Sequence, residues 1–379
     1  VNFDLSDEQQ VVRDLATQLF SGLVTVERIK AIETSDDPAN RGFDRELWAQ
    51  LAESGIQGLC LPEDDGGSGM GMVELALVLE QQGRHVAPVP LWPTVTAAIV
   101  IAEFGTADQR SSYLPGVVAG ETVLSLALAE SGANDVFAPS VRARREGDDI
   151  RVTGFKPAVP HGQHADAVIV PALDDDGAIV LVVIDTAADG VVRIGVDTTA
   201  HEPQAHLDLD VLLPATAILG HDGSTNSVHG GEALRWAYEH ALVGLCAMQL
   251  GVAQGSLAIM SQHVSTRQQF GKPLSTFQAV TQRAADGYIT TEAMRVTTLN
   301  AAWRLGEGYD ARRDVEVATF WASDGGQQVI TAGQHLHGGI GSDVDYPVHR
   351  YFLWGTQLAT VLGGASAHLA RLGKLIASV

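Results

Sequence analysis

Cysteine is scarce: Cys60 and Cys246 are the two in 379 residues. They stand far apart, so no disulfide framework and no cysteine metal site is expected, and a reducing, cytoplasmic setting is the natural reading. Basic residues are also few, 24 Lys and Arg against 46 Asp and Glu, giving a net charge of −22. That balance repels phosphate-rich polymers and anionic bilayers, which argues against nucleic-acid binding, while leaving room for a small anion held by local Arg and Lys. No run reads as long and apolar enough to span a membrane. Val1-Asn2-Phe3-Asp4 lacks the basic start and apolar stretch of a secretion signal. No G-x-G-x-x-G follows a strand pattern and strands do not alternate with helices, so a Rossmann sheet is disfavoured.

What is present is a chain long enough for two or three structural layers. Ser6-Asp7-Glu8-Gln9 has the form of a capping box, followed by Val11, Val12, Leu15, Leu19 and Phe20 at helical spacing. Further helical patterns run over 44–54, 73–82 and 93–104, broken by Pro62-Glu63-Asp64-Asp65-Gly66-Gly67. The character changes near Glu121. Short β-branched runs at 123–128, 150–153, 167–170, 179–184 and 191–194, divided by Gly/Asp turns, predict a small antiparallel sandwich or barrel. His221–Gly231 is polar and Gly-rich and reads as a connection. From Glu232 to about Arg267 the pattern predicts one long helix, or two with a bend near Gly251 or Gly255; 277–305, 315–333 and a stretch after Tyr346 follow. The expected organisation is α+β and multi-domain, with boundaries at 1–120, 121–225 and 226–379.

Two late stretches carry the most chemistry: Arg267-Gln268-Gln269-Phe270-Gly271-Lys272-Pro273-Leu274, and Gln334-His335-Leu336-His337-Gly338-Gly339-Ile340-Gly341. A guanidinium offers several oriented donors to a diphosphate. Paired glycines let backbone N–H groups approach a ligand without a Cβ between. Taken singly, these residues read equally as a surface Arg and a helix C-cap. In order and spacing, however, they match Arg-x-x-Phe-Gly and Q-x-x-G-G-x-G elements of the acyl-CoA dehydrogenase family, which this chain resembles over essentially its whole length. Pro62-Glu63 with Gly66-Gly67 is similar to the family's early loop. Ala129-Glu130-Ser131-Gly132-Ala133-Asn134-Asp135 resembles its T-E-P-x-A-G-S-D segment. Gly154-Phe155-Lys156 with Ala165-Asp166 resembles G-x-K-x-W-I-T-N…A-D, and Gly251-Val252-Ala253-Gln254 with Phe277-Gln278-Ala279-Val280 resembles the long helix and its turn.

The resemblance implies a helical N-terminal domain, a middle β-barrel or sandwich and a C-terminal four-helix bundle. It also implies FAD as cofactor and an acyl-CoA as substrate. It carries the grip on the flavin's ADP half to Arg267, Phe270, Gly271, Gln278, Gln334, His335, Gly338 and Gly339, elements that in this family reach across a subunit interface. His335 stands where Gln is usual. The ring-side elements depart further: the Thr before Glu130 is Ala129, and the Trp and Thr of W-I-T-N are Ala158 and Pro160.

The family's catalytic glutamate, needed to take the α proton as hydride leaves to flavin N5, is missing at both of its positions. In the run Val361-Leu362-Gly363-Gly364 the base position is Leu362, and on the long helix it is Ala241, followed by Leu242 where Arg often stands. Glu239 is the nearest carboxylate, but two residues along a helix turn about 200°, so it faces away from position 241. His240 is expected at a surface or interface, and the His335/His337 pair has no third metal ligand at helical spacing.

These features lead to the expectation of an oxidoreductase subunit, active within a heteromer of α2β2 form, that holds the ADP half of FAD while a paralogous subunit supplies the base. Relatives of this kind act on CoA esters of steroid side chains. A self-sufficient homomeric dehydrogenase using Glu239 or another base is one alternative, and a flavin monooxygenase or flavin-free scaffold on the same fold is the other. Acyl specificity and electron acceptor are not legible.

Overall fold

The computed structural model describes residues 3–132, 135–221 and 230–378. Val1 and Asn2 at the start, Ala133 and Asn134 of the early motif, and residues 222–229 of the polar connection lie outside the described residues. Six helices come first: α1 (Asp7–Leu23), α2 (Val26–Glu33), α3 (Arg45–Glu53), α4 (Met72–Arg84), α5 (Leu91–Phe104) and α6 (Ala107–Val118). Seven strands follow: β1 (Leu124–Leu126), β2 (Arg142–Glu146), β3 (Asp149–Val159), β4 (Ala167–Leu173), β5 (Ile179–Asp185), β6 (Val191–Asp197) and β7 (Pro203–Pro214). Then come α7 (Gly230–Thr266), a small hairpin of β8 (Gln268–Gln269) and β9 (Lys272–Pro273), α8 (Gln278–Gly306), α9 (Arg312–His337), α10 (Val348–Val361) and α11 (Ala365–Ala377). The helical, β, helical order expected from the sequence is found.

The chain forms two compact units. The helical unit comprises Val1–Ala31, Met72–Ala87 and Leu242–Val379. Its first helix starts as the capping box requires: Ser6 Oγ accepts from Gln9 N at 3.1 Å, and Gln9 Oε1 accepts from Ser6 N at 3.0 Å. α9 packs against α8, α10 and α11. Gly251 and Gly255 do not divide α7, which runs unbroken through both. They bring backbones together instead. A methyl built on Gly251 would lie 1.9 Å from Glu80 O, one on Gly83 of α4 would lie 2.0 Å from Met248 O, and one on Gly255 would meet the Tyr351 ring. Helices α4 and α7 therefore touch main chain to main chain at this crossing. The expectation that no run is apolar enough to span a membrane does not hold for α7: an 18-residue stretch has mean hydropathy 1.6, though 78% of it is buried inside the protein. A helix apolar on all sides is what a core position demands.

The second unit, Ile32–Gly71 with Pro88–Ala241, carries the sheet. Its strand order is β1-β4-β2-β3-β7-β6, with β5 also on β4. The sheet is mixed rather than antiparallel, because β1 pairs β4 in parallel with Leu124 opposite Ala167, and β2 meets β4 in parallel at Arg142 and Leu173. Parallel pairs need long connections, and here the chain between β1 and β4 supplies one. β2 and β7 add to the strands expected. Along β7, Ala205, Leu207, Leu209 and Val211 are buried while Asp208, Asp210 and Leu212 face out, the alternation of a half-buried strand. β3 carries a register shift between Lys156 and Val159, where Ala158 adopts φ +48°.

Candidate functional site

Within the helical unit, the C-terminal ends of α7 and α9 converge. The His263 ring on α7 lies 4.3 Å from the His337 ring on α9, and Tyr346 lies 5.3 Å from His337 on another side. Four residues after His263, Arg267 N donates to His263 O at 2.8 Å, and Leu274 N returns to Arg267 O at 2.9 Å. This closes the β8–β9 hairpin, whose two central residues are Phe270 at φ +55° and Gly271 at φ +78°. Two left-handed residues make the turn that a two-residue hairpin favours, but a phenylalanine there is strained. Phe270 is also 91% exposed, with the Phe277 ring edge-on at 6.1 Å. Strain on an exposed aromatic is not explained by packing and makes Phe270 a candidate for function.

The other sequence-predicted residues share this exposure. Arg267, Gln278, His335, Gly338 and Gly339 are all exposed, and Gln334 is half-buried. The Arg267 guanidinium has no hydrogen bond or ion pair among the described residues. Gly338 stands at φ +64°, ψ −141°, a region open to glycine alone. Gly339 needs no such geometry, and a methyl on either residue would meet nothing within 4 Å. The opening beside these two glycines is thus not filled by the chain's own packing. His337, next to Gly338, is buried, its Nδ1 lies 2.7 Å from Gly333 O, and desolvation lowers its pKa against the opposing effect of that bond.

The base positions look different. Ala241 and Leu362 are each about 1% exposed and offer only methyl groups. Glu239 is half-buried. His240, expected at a surface or interface, is buried within this chain: its ring stacks on Trp236 at 3.6 Å, its Nδ1 reaches Trp236 O at 2.8 Å, and desolvation drives its pKa to about 4. In the helical unit the main chain at Leu362 is held by a group that sequence reading missed. Buried His368 contacts Leu362 O through Nε2 and Glu316 Oε2 at 2.6 Å through Nδ1, and Arg371 reaches the same carboxylate at 3.2 Å.

The ring-side positions of the β-containing unit keep their scaffold and lack its donors. Glu130 and Lys156, from the two motif segments, form a buried ion pair. Glu130 Oε2 also accepts from Ser140 N at 3.1 Å and Ser140 Oγ at 2.7 Å. Desolvation lowers the Lys156 pKa, opposed by Glu130. In the same two segments stand Ala129, Ala158 and Pro160. The Ser125 hydroxyl donates to Pro160 O at 2.6 Å. His161, in the place of the motif's Asn, is buried and neutral, its pKa brought to about 3 by desolvation and by His164. Among the described residues no group of three or more His, Cys, Asp or Glu is placed to hold a metal.

Comparison with known proteins decides the class. Residues 6–121 match the profile of the acyl-CoA dehydrogenase N-terminal domain, and residues 229–373 match that of the C-terminal domain. The chain belongs to the acyl-CoA dehydrogenase family. Among its relatives, the acyl-CoA dehydrogenase FadE27 of Mycobacterium tuberculosis is 35% identical over 100% of this chain and 99% of its own. Two solved structures are similar throughout. One is the Tcur3481–Tcur3483 steroid ACAD, 45% identical with TM-score 0.90 over 98% of each chain; the other is the ChsE4–ChsE5 complex of Mycobacterium tuberculosis, 34% identical with TM-score 0.92 over 100% of each.

The family is one of flavoprotein oxidoreductases. The residues at the ends of α7 and α9 fit the tail of such a cofactor: an unengaged guanidinium for phosphate, an exposed aromatic, two glycines with open space beside them, and unserved buried acceptors at Gln334 Oε1 and His337 Nε2. Ala129, Ala158 and Pro160 have no side-chain donor for a flavin edge.

Proposed function

We propose that this chain is the cofactor-holding subunit of a heteromeric, FAD-dependent acyl-CoA dehydrogenase. Arg267 binds the pyrophosphate and Phe270 packs on the adenosine, while Gly338 and Gly339 admit the tail closely. Gly271 sets the hairpin, and Gln278, Gln334 and His335 line the same end. In this reading the flavin ring and the base belong to a paralogous subunit, in an assembly of α2β2 form. The substrate is an acyl-CoA, and the steroid and two-component names of similar structures favour a steroid side-chain ester. The flavin, when bound, is the hydride acceptor of the α,β-dehydrogenation. The working division is 1–120, 121–225 and 226–379, with the last segment carrying the tail grip.

One observation carries this reading. Every residue assigned to the grip is exposed or half-buried on this chain alone, whereas both base positions are aliphatic and sealed. A chain with its own complete site has no reason to combine a strained exposed Phe270 with a buried Leu362. The test is to purify the chain alone and together with its paralogue, then measure bound flavin and acyl-CoA oxidation. Flavin and turnover are expected only for the pair. Full activity of the chain alone, abolished by Glu239→Gln, would establish the self-sufficient enzyme instead.

A further inference from the structure

A trough of ≈ 410 Å³ runs between α8 and α9. Its two walls are matching polar stripes. On α8, Arg283, Asp286, Gly287 and Thr290 follow the i, i+3, i+4, i+7 spacing of one helix face, and on α9 the spacing recurs at Asp324, Gln327, Gln328 and Thr331. Among the described residues no aromatic or large aliphatic side chain lines it, so it lacks the apolar walls of a small-molecule pocket. A trough between two helical ridges suits a further helix instead.

Two charges there are unpaired. Arg283 and Asp286 are exposed, and neither has a hydrogen bond or ion pair among the described residues. Their neighbours are engaged: Asp324 Oδ2 accepts from Gln328 Nε2 at 2.6 Å, and Glu292 meets Arg295 at 2.9 Å. Glu292 and Arg295 have the same three-residue separation but place the acid first, the better order along a helix; Arg283 and Asp286 have the poorer one. A patch with one free charge of each sign is self-complementary. A two-fold axis midway between Arg283 and Asp286 runs α8 antiparallel to a copy of itself and sets each Arg283 opposite Asp286 of the second copy, giving two reciprocal pairs. The same operation sets exposed Ala279 opposite Thr290, side chains small enough for close helix approach. Each chain carries a net charge of −22, which drives copies apart, so a like-with-like contact needs such pairs at its centre.

We infer that the α8–α9 trough is the surface through which two copies of this chain meet, across a two-fold axis, with Arg283 of each bound to Asp286 of the other. The contact uses none of the residues assigned to the cofactor tail, so in an assembly with a paralogue it joins like subunits and leaves those residues to the unlike one. The test counts copies of this chain per particle by native mass spectrometry, and follows dissociation by analytical ultracentrifugation, on the purified native assembly. R283D and D286R each set like charges face to face, and the symmetry doubles the effect. Wild type is expected to carry two copies. Each single variant is expected to come apart at about tenfold higher protein concentration or more. R283D/D286R is expected to return toward wild type, because reversal on both copies recreates both pairs. Melting curves should be unchanged for these exposed side chains. One copy per wild-type particle overturns the inference, and so do single variants that dissociate like wild type. A double variant no tighter than the weaker single variant also overturns it, since matching charges on a paralogue would not be reversed with it.

Discussion

Arg267, Phe270, Gly338 and Gly339 in the helical unit match the motif proposed to grip a cofactor tail, while Ala129, Ala158 and Pro160 in the β-containing unit stand at motif positions proposed to face a flavin ring. The first set is exposed, unengaged and partly strained, at a cost that the lone chain has nothing to offset. The second set shares its two segments with the buried Glu130–Lys156 pair and offers no donor side chain. In the proposed reading, the contrast teaches that a scaffold and its ligand contacts can change separately. A buried ion pair cannot shed one partner without leaving a charge unpaired, whereas a surface hydroxyl can become a methyl at almost no cost.

That contrast can be broken most severely at the sealed base positions. Leu362→Glu places an unpaired carboxylate where Leu362 is about 1% exposed and is expected to cost roughly 3–5 kcal/mol in denaturant unfolding. No activity should be gained; a folded, active variant would show that the site is complete after all. Acidification gives the next largest effect. His161 and His240 are neutral in the fold, with pKa values near 3 and 4, but titrate near the ordinary 6.5 when unfolded. The unfolded chain therefore takes up the extra protons as pH drops below 6.5, and stability falls by about 1.4 kcal/mol per unit for each histidine. Unfolding measured from pH 7 to 5 should show this slope, and His240→Phe should reduce it.

The glycines sharpen the comparison on a finer scale. Gly338→Ala should destabilise by about 1–3 kcal/mol, since ψ −141° at φ +64° is closed to alanine. Gly339→Ala should change unfolding by less than about 0.5 kcal/mol yet lower the flavin content of the purified complex. Phe270→Asn is expected to act in the opposite direction, a gain of up to about 1 kcal/mol, because asparagine tolerates the left-handed turn. Flavin retention should nevertheless fall. A stabilised variant that still keeps its flavin would remove Phe270 from the grip.

Much of the fold was legible because its signals are local. The Ser6–Gln9 capping box, the helical spacing after it and the Gly-Asp turns between strands each depend on a few adjacent residues. β2 was missed because its sequence Arg-Ala-Arg-Arg-Glu shows charge rather than alternation, and four of its five residues are exposed. β7 was missed although Ala205, Leu207, Leu209 and Val211 alternate plainly, because the eye follows β-branched runs and this strand is interrupted by His and Asp. At the site, Arg267 and the Gly338–Gly339 pair could be read from motif spacing. The groups that hold the site could not, since Glu130 meets Lys156 across 26 residues and Glu316 meets His368 across 52. Nothing in the letters pairs such partners.

The bare crossing at Gly83 and Gly251 has a mechanical implication. Where two helices touch through main-chain atoms, there are no rotamers to give way, so neither rod can slip along the other by even part of a turn. Arg267 lies sixteen residues beyond Gly251, about 24 Å along the same axis. The backbone that carries Arg267 is thereby indexed to α4, so in the proposed reading little of the binding energy goes into aligning it.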